Sequence, residues 1–143
     1  MSATLHLVAH VAGRGVLFDA CRVDSVVDLG EVTPVPGAGG AVIGLAAMRS
    51  RVATVLDARR LLGLSSDDEA AGGRAVVTAV DGHLYAIAVD TLEDVAAFDL
   101  APLPGGLAGT DEWGAACGVV EGAGETLVAL DLDRLVARAV ALP

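Results

Sequence analysis

A chain of 143 residues, 54% hydrophobic and 20% charged, is long enough for one globular domain and too apolar to stay disordered. Its formal net charge is −10, and all nine of its basic residues are arginine. So acidic a chain repels phosphate backbones and acidic lipid surfaces, which argues against nucleic acid and acidic membrane surfaces as partners.

Short strands dominate the chain from its start. Leu5, Leu7, Ala9 and Val11 alternate with His6, Val8 and His10, as a strand with one apolar face requires. Gly13-Arg14-Gly15 reads as a turn, and Val16, Leu17 and Phe18 as the returning strand. Val23, Val26 and Val27 mark the next apolar segment, before Pro34, Pro36 and the glycines of residues 37–40 interrupt regular structure. Residues 41–48 are apolar throughout and predict a strand covered on both faces. Arg49-Ser50 then turns the chain into a partner strand over 51–56. Asp57 is placed to cap a short helix over 58–62 that Gly63 ends.

Residues 65–73 are polar and glycine-containing and read as an exposed loop. Strands resume at 75–80 and 83–89, joined by the hairpin dipeptide Asp81-Gly82. A loop at 102–106 leads to a last hairpin, 115–120 with 126–130, and a closing helix over 132–141 capped by Asp131.

The two halves rhyme. The stretch at 55–62 resembles that at 129–136, with Asp131 lying 74 positions after Asp57. Phe18-Asp19 is echoed 71 positions later by Val89-Asp90. Near-equal offsets at two places indicate a duplicated β unit. Two strands alone are marginal, whereas about five that close on themselves hide their edges. The expected fold is therefore all-β: two small five-stranded barrels packed across an apolar seam, with short helices and a C-terminal helix. The chain is read as one domain over 1–143, with approximate subdomains at 15–70 and 71–130 and room for exchange of a terminal strand or helix.

Chemistry-bearing patterns are absent from the sequence. His6 and His10 share one strand face without a third metal ligand, and His83 follows a turn. Asp131 and Asp133 read as a cap and a first-turn charge, not as metal ligands. The glycine-rich run at 36–44 lacks the lysine and serine or threonine of a phosphate loop, and no Gly-x-Ser-x-Gly elbow occurs. Cys21 and Cys117 form no Cys-x-x-Cys pair and read as free, mostly buried thiols of a reducing compartment. No catalytic residue, metal or cofactor is expected. The N-terminus carries no secretory signal pattern, and no apolar run is long enough to span a bilayer, so a cytoplasmic protein is expected.

The order of motifs resembles the CheW-like domain family. The resemblance runs through Thr33-Pro34-Val35-Pro36-Gly37, Val42-Ile43-Gly44-Leu45, Met48-Arg49 and residues 52–63. It continues through Val80-Asp81-Gly82, Val89-Asp90, Glu93-Asp94-Val95 and residues 130–135, nearly the whole chain. It implies two SH3-like barrels and a non-enzymatic adaptor that couples a CheA-type histidine kinase to the cytoplasmic tips of chemoreceptors in a signalling array. It implies a receptor interface at Val23, Val26 and Arg49, and a kinase interface at Val32, Thr33 and Gly44. Three positions depart from the family pattern: Ala47 stands in place of an asparagine, Ser50 of a glycine and Ser25 of an acidic residue. They fall where those contacts are expected. The alternative is therefore a divergent binding module that engages the kinase, or another partner, without coupling receptors.

Overall fold

The computed structural model describes residues 3–35, 41–48, 50–62, 73–102, 115–122 and 124–141. Ten strands and two α-helices occur in the order β1 (Thr4–Val11), β2 (Arg14–Asp19), a 3-10 turn (Ala20–Arg22), β3 (Ser25–Asp28), β4 (Val42–Met48), β5 (Arg51–Asp57), α1 (Ala58–Leu61), β6 (Arg74–Val80), β7 (His83–Val89), β8 (Thr91–Phe98), β9 (Ala116–Gly122), β10 (Glu125–Leu130) and α2 (Leu132–Ala141). They form two five-stranded sheets, β8-β1-β2-β10-β9 and β3-β6-β7-β5-β4. The first holds strands from both ends of the chain and is called the terminal lobe; the second is the central lobe. Division at residues 70 and 71 does not separate these sheets, because β1 and β2 pair with β8 and β10 from the far half of the chain.

The sheets repeat each other strand for strand. In each, two hairpins meet through one parallel pair: β10 beside β2, and β5 beside β7. These parallel pairs set Leu130 opposite Phe18 in one sheet and Asp57 opposite Ala88 in the other. The hairpin loops Ala12-Gly13 and Asp81-Gly82 match as well, with φ of 52° and 81° in one and 51° and 82° in the other. Two successive residues at positive φ give the loop a twist that suits paired strands. Gly15 therefore lies within β2, where an added Cβ would run into the Leu127 side chain. Each barrel is drawn closed by one isolated bridge, Thr33 to Leu45 in the central lobe and Ala101 to Val119 in the terminal lobe.

Apolar alternation sorts the side chains into two clusters. The larger joins both lobes: Leu7, Val11, Val16, Phe18 and Leu130 meet Leu56, Val76, Ile87 and Val89. Leu132, Leu135, Val136 and Ala139 recur at the spacing of one helical face and place α2 against the same cluster. Burial of each such side chain contributes about 1.5–3 kcal/mol. The smaller cluster, around Ala53, Val55, Val77, Leu84 and Ala86, lines the opposite face of the central sheet.

Polar links hold the lobes in register. Asp90, where the chain passes from β7 to β8, accepts from Arg59 at 3.1 and 2.7 Å and from the Ala12 amide at 2.8 Å. A second link joins Arg22, at the end of the 3-10 turn, to Asp133 of α2, and Arg22 also donates to the Ala79 carbonyl at 3.2 Å. Thr78, fully buried, donates to the Arg22 carbonyl at 2.8 Å. Arg138 of α2 donates to the Leu61 carbonyl at 2.6 Å and ties the two helices together.

Three expectations are corrected, and one strand is added. Residues 42–48 are a strand at the end of its sheet, so one face packs inward while the other, with Leu45, meets solvent. Leu5 is 57% exposed, because the buried stripe of β1 begins only at Leu7. The strand β8 was hidden by its composition, since Glu93, Asp94 and a largely exposed run carry no alternation. Cys21 and Cys117 are free but exposed, the first on the 3-10 turn and the second on the outer side of β9. Partial burial and the nearby Asp131 push the Cys117 thiol up, so that it stays protonated near neutral pH.

Partial burial pushes the Asp90 carboxyl up, but hydrogen bonds from Arg59 and the Ala12 amide and the Arg59 charge outweigh it and hold the group below the usual carboxylate range. A depressed carboxylate stabilises the fold above its unfolded value, and that contribution is lost as pH falls through the folded value. Asp90→Asn is therefore expected to cost about 2 kcal/mol at pH 7, with the difference from wild type shrinking below about pH 4. Urea unfolding of both proteins across that range checks it.

Candidate protein-docking site

In the central lobe β3 and β4 occupy the two ends of the sheet. The segment after β3 crosses to β4, where Thr33 and Leu45 exchange backbone hydrogen bonds of 2.8 and 2.9 Å. Gly44 makes that crossing possible. A Cβ on it would collide with the Thr33 carbonyl and press on Val32, so only glycine lets the segment lie this close. Val32, Thr33 and Gly44, distant in sequence, thus form one small unit on the edge of the barrel.

On the other side of that crossing, β3 and the β4–β5 hairpin frame a cleft of 560 Å³. Ala46, Val77 and Leu84 belong to the barrel core and also line the cleft, while Asp24, Asp28 and Arg51 stand among its polar lining. Ser25, Ala47 and Ser50 line the same cleft. Three short side chains converge there from two separate segments, and their size helps to keep the cleft open. Around it the central lobe exposes apolar side chains: Val26 at 39%, Leu45 at 38% and Val52 at 61%. Register places Ala47 opposite Val52 and Leu45 opposite Thr54, which makes a continuous outer strip on the hairpin. The sequence pointed to Val26 but not to Leu45 or Val52, because an unbroken apolar run gives no sign of which face is bare.

The remaining candidates separate into distinct places. Val23 is half-buried against the core between the lobes and does not line the cleft, whereas Val26 does. Arg49, Gly63 and the glycines of 37–40 lie outside the described residues. Asp57 accepts from the Arg59 amide at 2.9 Å and Asp131 from the Arg134 amide at 3.2 Å, so both carboxylates are occupied at helix starts. His6 is buried beside Phe98, its ring nitrogen bonded to the Thr4 carbonyl at 3.0 Å. His10 lies between Glu93 at 2.8 Å and Glu125 at 3.4 Å, a link across three strands. No group of three or more His, Cys, Asp or Glu side chains placed to hold a metal ion occurs among the described residues. No helix among them is long and apolar enough to cross a membrane.

Two duplicated β-barrels around a shared core, with an apolar strip beside an open cleft, define a two-lobed module whose bare features are surfaces. The chain matches the CheW-like domain over residues 6–140 and belongs to that family. The crystal structure of the scaffolding protein TtCheW from Thermoanaerobacter tengcongensis is similar to it, with a TM-score of 0.81 at 18% identity over 93% of this chain and 92% of the other. That likeness establishes the fold of two SH3-like subdomains. No curated protein matches the sequence.

The packing at Gly44 and the contrast between Val23 and Val26 give direct expectations. Gly44→Ala should cost about 2 kcal/mol through the clash with Thr33, whereas Gly30→Ala, with open space at its Cβ, should change stability by less than about 0.5 kcal/mol. Chemical denaturation of the pair measures the difference. Val23→Asp should cost about 2–4 kcal/mol by burying an unpaired charge, and Val26→Asp under about 1 kcal/mol. Thermal melts of the two variants separate a packing residue from a surface one.

Proposed function

We propose that this chain is a non-enzymatic adaptor that couples a CheA-type histidine kinase to the cytoplasmic tips of chemoreceptors in a cytoplasmic, membrane-associated array. The observation that carries this reading is the exposed apolar surface of the central lobe of a CheW-like domain, Val26 on β3 and the strip of Leu45 and Val52 on the β4–β5 hairpin. Apolar side chains gathered beside a cleft are what a partner helix or barrel buries. The receptor contact is assigned to Val26 and Arg49, with Val23 nearby in the chain and packed on the core between the lobes. The kinase contact is assigned to the Val32–Thr33 crossing, which Gly44 holds in place. The kinase's own CheW-like regulatory domain is the expected partner there.

A specific observation favours a second reading, in which the module engages the kinase or another partner without coupling receptors. Ser25, Ala47 and Ser50, the three departures from the family pattern, all line the cleft beside Val26. All three changes, two to shorter side chains and one from glycine to serine, fall beside the proposed receptor contact, while the Val32–Thr33–Gly44 unit keeps its glycine.

A pull-down from the native cell distinguishes the two, with wild type beside Arg49→Ala and Val26→Asp. Coupling requires that wild type retrieve both a CheA-type kinase and a chemoreceptor, and that the variants lose the receptor by about tenfold or more. Kinase alone supports the second reading. Retrieval of neither leaves the family fold without the adaptor role.

A further inference from the structure

The two lobes share one strand order but differ at the edge strand. In the terminal lobe the edge strand β8 runs eight residues along β1; its counterpart β3 runs only four along β6. The shortfall coincides with the cleft. One wall is residues 24–30 and the other is residues 46–48 with 50–51. Both β3 and β4 are end strands, so each has a neighbouring strand on one side alone. The walls converge on the isolated bridge of Thr33 and Leu45, where the backbones are in hydrogen-bonding contact. The cleft therefore starts at the width of one strand pair and opens from there.

Such a wedge suits an extended backbone better than a helix. Neighbouring strands lie about 4.8 Å apart, whereas a helix with its side chains is about 10 Å across and has no backbone groups to offer an edge. An unpaired edge supplies main-chain donors and acceptors ready for another strand. The side chains divide by face. Val27, Ala46, Val77 and Leu84 belong to or pack on the barrel core. Asp24, Val26 and Asp28 alternate with Val27 and turn to the outer side, with Asp24 and Asp28 both exposed. Asp28 pairs with Arg74 at 3.2 Å yet remains 84% exposed, and Asp24 has no ion pair among the described residues.

We propose that the cleft takes an extended segment of another protein as an added strand between β3 and β4. Its inward side chains are aliphatic and rest on Val77 and Leu84. Its outward side chains are basic and face Asp24 and Asp28. Ser25, Ala47 and Ser50 give the incoming chain room. The proposal rests on reading this chain as a protein-binding module but is independent of which kinase or receptor it serves.

The test uses the full chain, isotopically labelled for NMR, and the acetylated, amidated peptide Arg-Val-Arg-Leu-Arg-Val. One control has the same composition in the order Arg-Arg-Arg-Val-Leu-Val; the other carries N-methyl groups at alternate residues, in two versions that block one edge or the other. The alternating peptide should shift the amides of residues 24–29 and 46–51 and slow their hydrogen exchange about tenfold or more. Both controls should bind about tenfold more weakly, and Asp24→Arg should weaken binding similarly while leaving urea unfolding unchanged. Equal binding of the N-methylated peptides means that side chains alone are held and overturns strand addition. Equal binding of the reordered peptide reduces the effect to charge attraction by an acidic protein, and overturns it too. So do shifts that map elsewhere, or no binding. The pull-down of kinase or receptor is a separate readout, so either proposal fails without taking the other with it.

Discussion

The apolar core shared by the two lobes is the constraint from which the rest of the structure follows. Phe18 and Leu130 from one sheet meet Leu56 and Ile87 from the other, and the closing helix lays Leu132, Leu135 and Val136 on the same cluster. Neither sheet could leave that face in water, and a chain with four aromatic residues has few large side chains with which to fill a core. Many short aliphatics must therefore be brought together closely. The parallel pairs, β10 with β2 and β5 with β7, achieve this by bringing strands from opposite halves of the chain side by side.

Burial of that core fixes the polar links around it. The Asp90 carboxylate lies where the chain changes lobes and bonds to a helix start on one side and a hairpin loop on the other. A second pair, Arg22 with Asp133 of α2, lies near the start of the other crossing between the lobes. A duplicated unit permits such differences once its copies need no longer be identical. The shorter β3 is the same freedom exercised at a strand edge. It converts a closed barrel wall into a cleft, and the bare strip of Leu45 and Val52 lies beside it.

Much of the fold was legible in the residues. The Asp81-Gly82 dipeptide and the capping aspartates are local signals, and that hairpin and the helices fall where those signals stand, while the first hairpin turns at Ala12-Gly13 and not at Gly13-Arg14-Gly15. The repeat was legible because it left Asp57 and Asp131, and Asp19 and Asp90, at nearly constant offsets. The strand β8 was not, because its register is imposed by β1 and its own side chains are mostly exposed. The edge position of β4 was not, because an apolar run reads alike whether one face or both are covered. Nor did Val23 and Val26 differ in sequence; only their surroundings make one a packing residue and the other a surface residue.

The sequence by itself determined the composition class, the duplicated strand grammar, the helix caps and the family to which the chain belongs, because each of these depends on residues close together or on a pattern repeated at a fixed interval. The tertiary structure alone decided which strands became edges, how the halves exchanged strands, and that Ser25, Ala47 and Ser50 would line one cleft. Those depend on pairings between segments far apart in the chain, where the free energy lies in burying faces against each other and no local signal records the partner.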